Sequence, residues 1–194
     1  YTPLDRYSKS IRLLEILPGD DLPISCLLHT FVLSTGATTN TSNPGFDFTA
    51  LSYTWGPRNP TSQILLNGDL FAIRQNLWLA LWAIRNKINQ GCFQRYDWQL
   101  LCIDAICIDQ DNVLERNHQV SLMKEIYSQA SQVLVWLGDE REGSRTSFEF
   151  IKEGSVQLEY PTTAFITLSN SIAYNALLAL YRREYWARMW IVQE

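Results

Sequence analysis

The 194 residues suffice for one domain of ordinary size, or one with a small subdomain, and the 46% hydrophobic share supports a packed core, which argues against intrinsic disorder. With 16 Lys and Arg against 20 Asp and Glu, the formal charge of −4 creates no global field for collecting nucleic acid or anionic membrane, so any anion site must be local. The longest apolar run, residues 77–84, falls far short of the roughly 20 residues that a helical bilayer span needs, which excludes such a span.

Residues 11–17 and 24–33 are short apolar runs around Pro18-Gly19 and predict two strands, an N-terminal ribbon. Residues 34–47, rich in Ser, Thr, Asn and Gly, predict a loop. Residues 48–53 (FTALSY) predict a buried strand, stopped by Gly56-Pro57. Residues 64–66 and 70–73 flank Asn67-Gly68, a pair that supplies the two positive-φ positions of a type I′ hairpin turn. Asn76 is placed to cap a helix whose apolar face is Leu77, Leu81, Ile84 and Ile88 and which Gly91 closes.

Residues 98–103 (WQLLCI) form a wholly apolar run ending at Asp104, as a parallel strand covered on both faces does. A polar turn over 109–112 follows. Asn112 and Glu115 then match a capping box, with Val120, Met123, Tyr127 and Ala130 as one helical face. Residues 133–137 predict another buried strand, stopped by Gly138-Asp139. Two more helices are expected, around 147–153 and from 171 to the end, with a loop near Tyr160-Pro161. No internal repeat is visible.

From residue 48 onward strands and helices alternate, which predicts an α/β fold with a mostly parallel sheet and helices on both faces. The organisation expected is a single domain over 1–194, with ribbon and loop in 1–47 and the α/β core in 48–194. The chain opens at Tyr1 rather than Met and stops at Glu194 inside an apolar stretch, so it reads as a segment of a longer protein. Cys26, Cys92, Cys102 and Cys107 contain no CxxC pair, and Cys102 and Cys107 lie in apolar sequence; both points suit reduced thiols and a cytoplasmic protein. His29 and His118 join no spaced Cys/His cluster, so neither a bound metal nor a resident cofactor is expected. A Ser-His-Asp hydrolase stays open, although no GxSxG is present.

In parallel sheets, sites lie at the carboxyl ends of strands, here residues 53–56 and 104–109. Ser52, Tyr53, Trp55 and Gly56 fit an aromatic wall for a planar ligand, or equally a roof over the core. Asp104 and Asp109 bracket small and apolar residues: a carboxylate at a strand end accepts hydrogen bonds from ribose hydroxyls, while the same spacing suits a turn cap and a helix start. Cys107, among apolar neighbours, suits an inert thiol better than a nucleophile. On a helix Trp186, Trp190 and Glu194 share one face at i, i+4 and i+8, which sets a partly desolvated carboxylate beside two indoles, or forms a packing face with Arg182, Arg183 and Arg188 as surface charge.

The series IRLLEILPGD, ALSYTWG, ILLNG, NLWLALWAIR, CIDAICIDQ, ERNHQVSLMKEIYSQASQVLVWLG and YWARMWIVQE resembles the fungal heterokaryon incompatibility (HET) domain along nearly its whole length. Members usually carry Asn where this chain has Asp109. The resemblance implies recognition of non-self during fungal cell fusion and the cell death that follows. A more distant similarity is to TIR domains, which implies a flavodoxin-like order of elements and hydrolysis of NAD to nicotinamide and ADP-ribose. On that analogy Glu194 is the catalytic carboxylate and Trp190 belongs to its helix segment. Residues 52–56 and 104–110, with Cys107 inside the second stretch, then form the substrate loops, Arg188 holds the diphosphate, and Tyr53 or Trp55 stacks on a ring. The partners this implies are NAD or a related nucleotide, further copies of the chain on activation, and other domains of the parent chain or a regulatory protein. The competing class is a non-enzymatic interaction module, and a third is a nucleotide binder without turnover.

Overall fold

The computed structural model describes residues 1–5, 7–33, 47–91, 100–141, 143–154 and 172–187. They fall into two compact units, one within Tyr1–Trp136 and one within Leu137–Ile191. The predicted loops at 34–46 and around Tyr160-Pro161, residues 92–99 at the start of the WQLLCI run, and residues 188–194 with Arg188, Trp190 and Glu194 lie outside the described residues.

The first unit is built on strands β1 (Ser10–Ile16), β2 (Ile24–Val32), β3 (Thr49–Tyr53), β4 (Thr61–Leu66), β5 (Asp69–Arg74), β6 (Leu101–Cys102) and β7 (Gln132–Trp136). They form one sheet in the order β5-β4-β2-β1-β6-β3-β7. The β3 strand pairs in parallel with β6 and β7, and β2 with β4, whereas β1 runs antiparallel to β2 and β6, and β4 to β5. The sheet is therefore mixed. The expected N-terminal ribbon and hairpin are both present, but neither is an appendage, because each is hydrogen-bonded into the same sheet. The reason lies in β1, whose Leu14 and Ile16 enter one apolar cluster while Ile11 and Leu13 enter another. A strand apolar on both faces needs cover on both, and it takes an interior place.

Helix α1 (Gln75–Asn89) packs Leu77, Ala80, Leu81 and Ile84 into the first cluster. Helix α3 (Val113–Gln129) contributes Ile126 to the second. The Asn67-Gly68 turn has φ of 53° and 92°, as a type I′ hairpin requires, and Gly91 closes α1 at φ 64°. The start of α1 differs from the expected cap at Asn76. Asn76 sits inside α1; the N-cap is Arg74, which makes no side-chain cap bond.

The α3 helix is capped as expected, with Asn112 Oδ1 accepting the Glu115 N–H at 3.1 Å. Its buried side is Glu115, Gln119 and Ile126, while Val120 is exposed. Met123 and Ala130 of the expected face do pack against the second cluster, but Val120 does not, and two polar members of the buried side are satisfied from β1: Gln119 Nε2 donates to Ser10 O at 2.8 Å and Glu115 meets Arg12. The β7 strand departs from the expected fully buried run, since Val133 and Val135 are 38% and 41% exposed between half-buried neighbours. It ends the sheet order and pairs only with β3 among the described residues.

In the second unit, α4 (Ser144–Gly154) and α5 (Ile172–Tyr181) are followed by a 3-10 turn, Glu184–Ala187. A Cβ built on Gly143 would lie 3.2 Å from Ala176 Cβ, so the start of α4 lies close against α5. The helix expected from 171 to the end therefore breaks after Tyr181. Arg183 turns back to donate to Leu137 O at 2.8 Å and Ser144 Oγ at 2.6 Å, and the Trp186 indole donates to Leu180 O at 3.0 Å. The Trp186 bond satisfies a carbonyl that a continuing helix would have bonded, and the Arg183 bonds tie the break to Leu137 and Ser144. No described helix is long and apolar enough to cross a membrane.

Candidate functional site

The parallel strands β6, β3 and β7 lie side by side and end at Cys102, Tyr53 and Trp136. Beyond the end of β3 the backbone continues as Thr54-Trp55-Gly56, and beyond β6 it turns through Ile103 into a one-turn helix, α2 (Asp104–Cys107). This brings together the two stretches that the sequence singled out. The Trp55 indole N–H donates to Asp104 Oδ2 at 2.7 Å, and Asp104 Oδ1 accepts the Ala105 N–H at 2.7 Å. Gln110 Nε2 donates to the Asp104 carbonyl at 2.8 Å, which ties the far side of the loop to its start.

Two residues complete the constellation: Asn76, expected only as a helix cap, and Arg74, which no sequence signal marks. Asn76 donates to Thr54 O at 2.6 Å and accepts the Trp136 indole N–H at 3.0 Å, so it joins the carboxyl ends of β3 and β7. Arg74 holds its Cζ 4.8 Å from the centroid of a Trp55 ring and donates to Gly56 O at 2.7 Å. Gly56 has φ 68°, and a Cβ there would approach Asn76 Cβ to 3.4 Å. A residue with a side chain would be strained at this turn by the positive φ. The only local signal for Asn76 was its position near a helix start, which suggests a cap; its partners lie 22 and 60 residues away.

The loop over 107–109 is fixed from β1. Arg12 and Glu115 are both buried and form a two-pronged ion pair at 2.6 and 3.0 Å. Arg12 Nη1 also donates to Cys107 O at 3.0 Å, and Glu115 Oε1 accepts the Asp109 N–H at 2.8 Å. Burial works to raise the Glu115 pKa, but the hydrogen bonds from Arg12 and the backbone outweigh it and hold the carboxyl below its ordinary value.

The predicted site residues divide accordingly. Trp55, Gly56 and Asp104 meet at the strand ends. Ser52 and Tyr53 are buried within β3, and Tyr53 belongs to the core under the site. Cys107 is buried, with its thiol 3.3 Å from the Ile103 N–H and 3.6 Å from Leu101 O. Asp109 lies in the following turn, where its carboxylate accepts the Asp111 N–H at 3.2 Å. Glu194, Trp190 and Arg188 lie outside the described residues.

Among the described residues no group of three or more His, Cys, Asp or Glu is placed to hold a metal ion. A cleft of about 330 Å³ opens on β1, β2, β4 and β5, lined by Arg12, Leu28, Asn67 and Phe71 among others. It shares no lining residue with Trp55, Asp104, Arg74 or Asn76, and the strand-end cluster carries the more specific chemistry.

The architecture is thus a mixed α/β sheet domain with a polar and aromatic cluster at the carboxyl ends of its parallel strands. Residues 48–194 match the family model described as heterokaryon incompatibility protein (HET), and the chain belongs to that family. It is similar to heterokaryon incompatibility protein 6, OR allele, of Neurospora crassa, at 34% identity over 155 residues covering 75% of this chain and 21% of that protein. The chain spans about a fifth of the length of this curated relative. No solved structure matches it.

Proposed function

We propose that this HET domain acts in heterokaryon incompatibility, the process for which its Neurospora relative is named, by binding NAD at the strand-end cluster and hydrolysing it, with cell death as the outcome. The observation that carries the reading is the hydrogen bond from Trp55 to Asp104, which places a carboxylate and an indole together at the carboxyl ends of neighbouring parallel strands. The order β6-β3-β7 adds support. Numbered from β3 it reads 2-1-3, the order in which a flavodoxin-like sheet begins.

The reaction needs few groups. Breaking the bond between ribose C1′ and the nicotinamide nitrogen returns the bonding pair to a cationic ring, which leaves as neutral nicotinamide without a proton donor. Water adds to C1′ and loses a proton, giving ADP-ribose. A carboxylate near the ribose favours the oxocarbenium charge of the transition state over the ground state. Glu194 is the residue assigned that role, and Asp104 accepts ribose hydroxyls. The test is to incubate the purified protein with NAD across a range of protein concentrations, so that any need for self-association is met, and to measure nicotinamide and ADP-ribose. Turnover by the wild type and its loss in Glu194→Gln, with folding intact, supports the reading; full activity in Glu194→Gln overturns it.

A second reading, a partner-recruiting module without turnover, draws on one observation. Phe148 and Ile151, one turn apart on α4, are 54% and 46% exposed.

A further inference from the structure

The Trp55 indole is engaged on two sides. Its N–H edge holds the Asp104 carboxylate, and the Arg74 guanidinium lies over its ring. Trp55 is also packed against the first core cluster, so the ring serves as a platform under Arg74. A guanidinium carries five N–H donors. Arg74 spends one hydrogen bond on Gly56 O and, among the described residues, makes no ion pair with any carboxylate. No acidic residue lies in the first turn of α1, which begins just after Arg74. Among the described residues, this partly buried cation is fixed by stacking and one hydrogen bond, has no carboxylate partner and keeps further donors for a ligand, so it is preorganised for an anion.

The neighbouring carboxylate narrows the class of that anion. Asp104 repels a bare anion but accepts hydroxyl donors, and one indole contacts both that carboxylate and the Arg74 guanidinium. A ribose 5′-phosphate carries hydroxyls and phosphate oxygens on one small frame and can satisfy both. We infer that Arg74 is the phosphate-binding residue of this site, taking the diphosphate of a ribose-containing dinucleotide whose ribose hydroxyls lie against Asp104. The inference rests on the nucleotide reading above and assigns to Arg74 the diphosphate-binding role that the sequence analysis expects of Arg188.

The test uses ADP-ribose, which binds without turnover. Calorimetric titration of the wild type, Arg74→Gln and Arg74→Lys, each with an unchanged circular dichroism spectrum, is expected to show Kd rising about tenfold or more in Arg74→Gln, the loss of a charge-assisted bond. Arg74→Lys should recover part of that loss, because it restores charge without the fork. Raising salt should weaken the wild type more than Arg74→Gln. Equal Kd values for wild type and Arg74→Gln, or no ADP-ribose binding by the wild type, overturn the inference. Nicotinamide release from NAD is scored separately. Arg74-dependent binding without release leaves the phosphate site standing and removes the hydrolase; release with an unchanged KM in Arg74→Gln does the reverse.

Discussion

The indole N–H of Trp55 and the carboxylate of Asp104 meet at 2.7 Å across 49 residues of sequence, and this contact joins the ends of β3 and β6. Trp55→Phe keeps an aromatic ring under Arg74 but removes the donor. The expected loss is about 1 kcal/mol of stability, read from urea unfolding midpoints, together with weaker ADP-ribose binding. An unchanged midpoint with unchanged binding would show that the contact organises nothing.

Asn76 gives the second prediction. Asn76→Ala removes a donor from Thr54 O and an acceptor from the Trp136 indole, leaving two part-buried groups without their partners. The expected cost is about 2 kcal/mol. Asn76→Asp keeps the acceptor alone and should fall between, so the order of urea midpoints is wild type, Asp, Ala.

How far these contacts can be read from sequence depends on their range. The Asn67-Gly68 turn and the Asn112 cap are local, and turn and capping chemistry locate them. The pairings of Asn76 with Trp136 and of Arg12 with Glu115 span 60 and 103 residues and leave no periodic trace. The α3 face shows the consequence. Reading apolar spacing puts Val120 inside, whereas the partners on β1 turn Glu115 and Gln119 inward. At the strand ends the sequence marks Trp55, Gly56 and Asp104, but nothing local marks Arg74 at the end of a hairpin strand, because its partners, Trp55 and Gly56, lie 19 and 18 residues away.

The Arg12–Glu115 pair yields a third prediction. Removing one member leaves a buried charge unpaired, so Arg12→Ala should cost about 3–5 kcal/mol. The pair also carries a pH signature. Because the Glu115 pKa in the folded state lies below its ordinary value of 4.5, its contribution is complete above that value and is lost as the pH falls from there through the lower folded-state pKa. The gap in urea midpoint between wild type and Glu115→Gln should therefore be widest near neutrality and narrow on acidification. A gap that stays constant down to pH values well below 4.5 would contradict this assignment.

The buried cysteines give the fourth. Burial pushes the Cys26 thiol up to about 12, and the hydrogen bond with Cys107 together with burial raises Cys102 well above its ordinary value. The thiolate is the reactive form. Peptide mapping after iodoacetamide treatment at mildly alkaline pH should find both unmodified in the folded protein and modified once urea unfolds it. Rapid labelling of Cys102 in the native state would contradict the packing described for β6.

The most direct test of the account follows one nucleus. The Trp55 indole N–H resonance, assigned by its absence in Trp55→Phe, is monitored in 15N-labelled protein while ADP-ribose is added. A saturable shift of that resonance, abolished by Asp104→Asn, is the predicted result. A resonance that stays fixed while other signals report binding would place the nucleotide elsewhere and contradict the strand-end site.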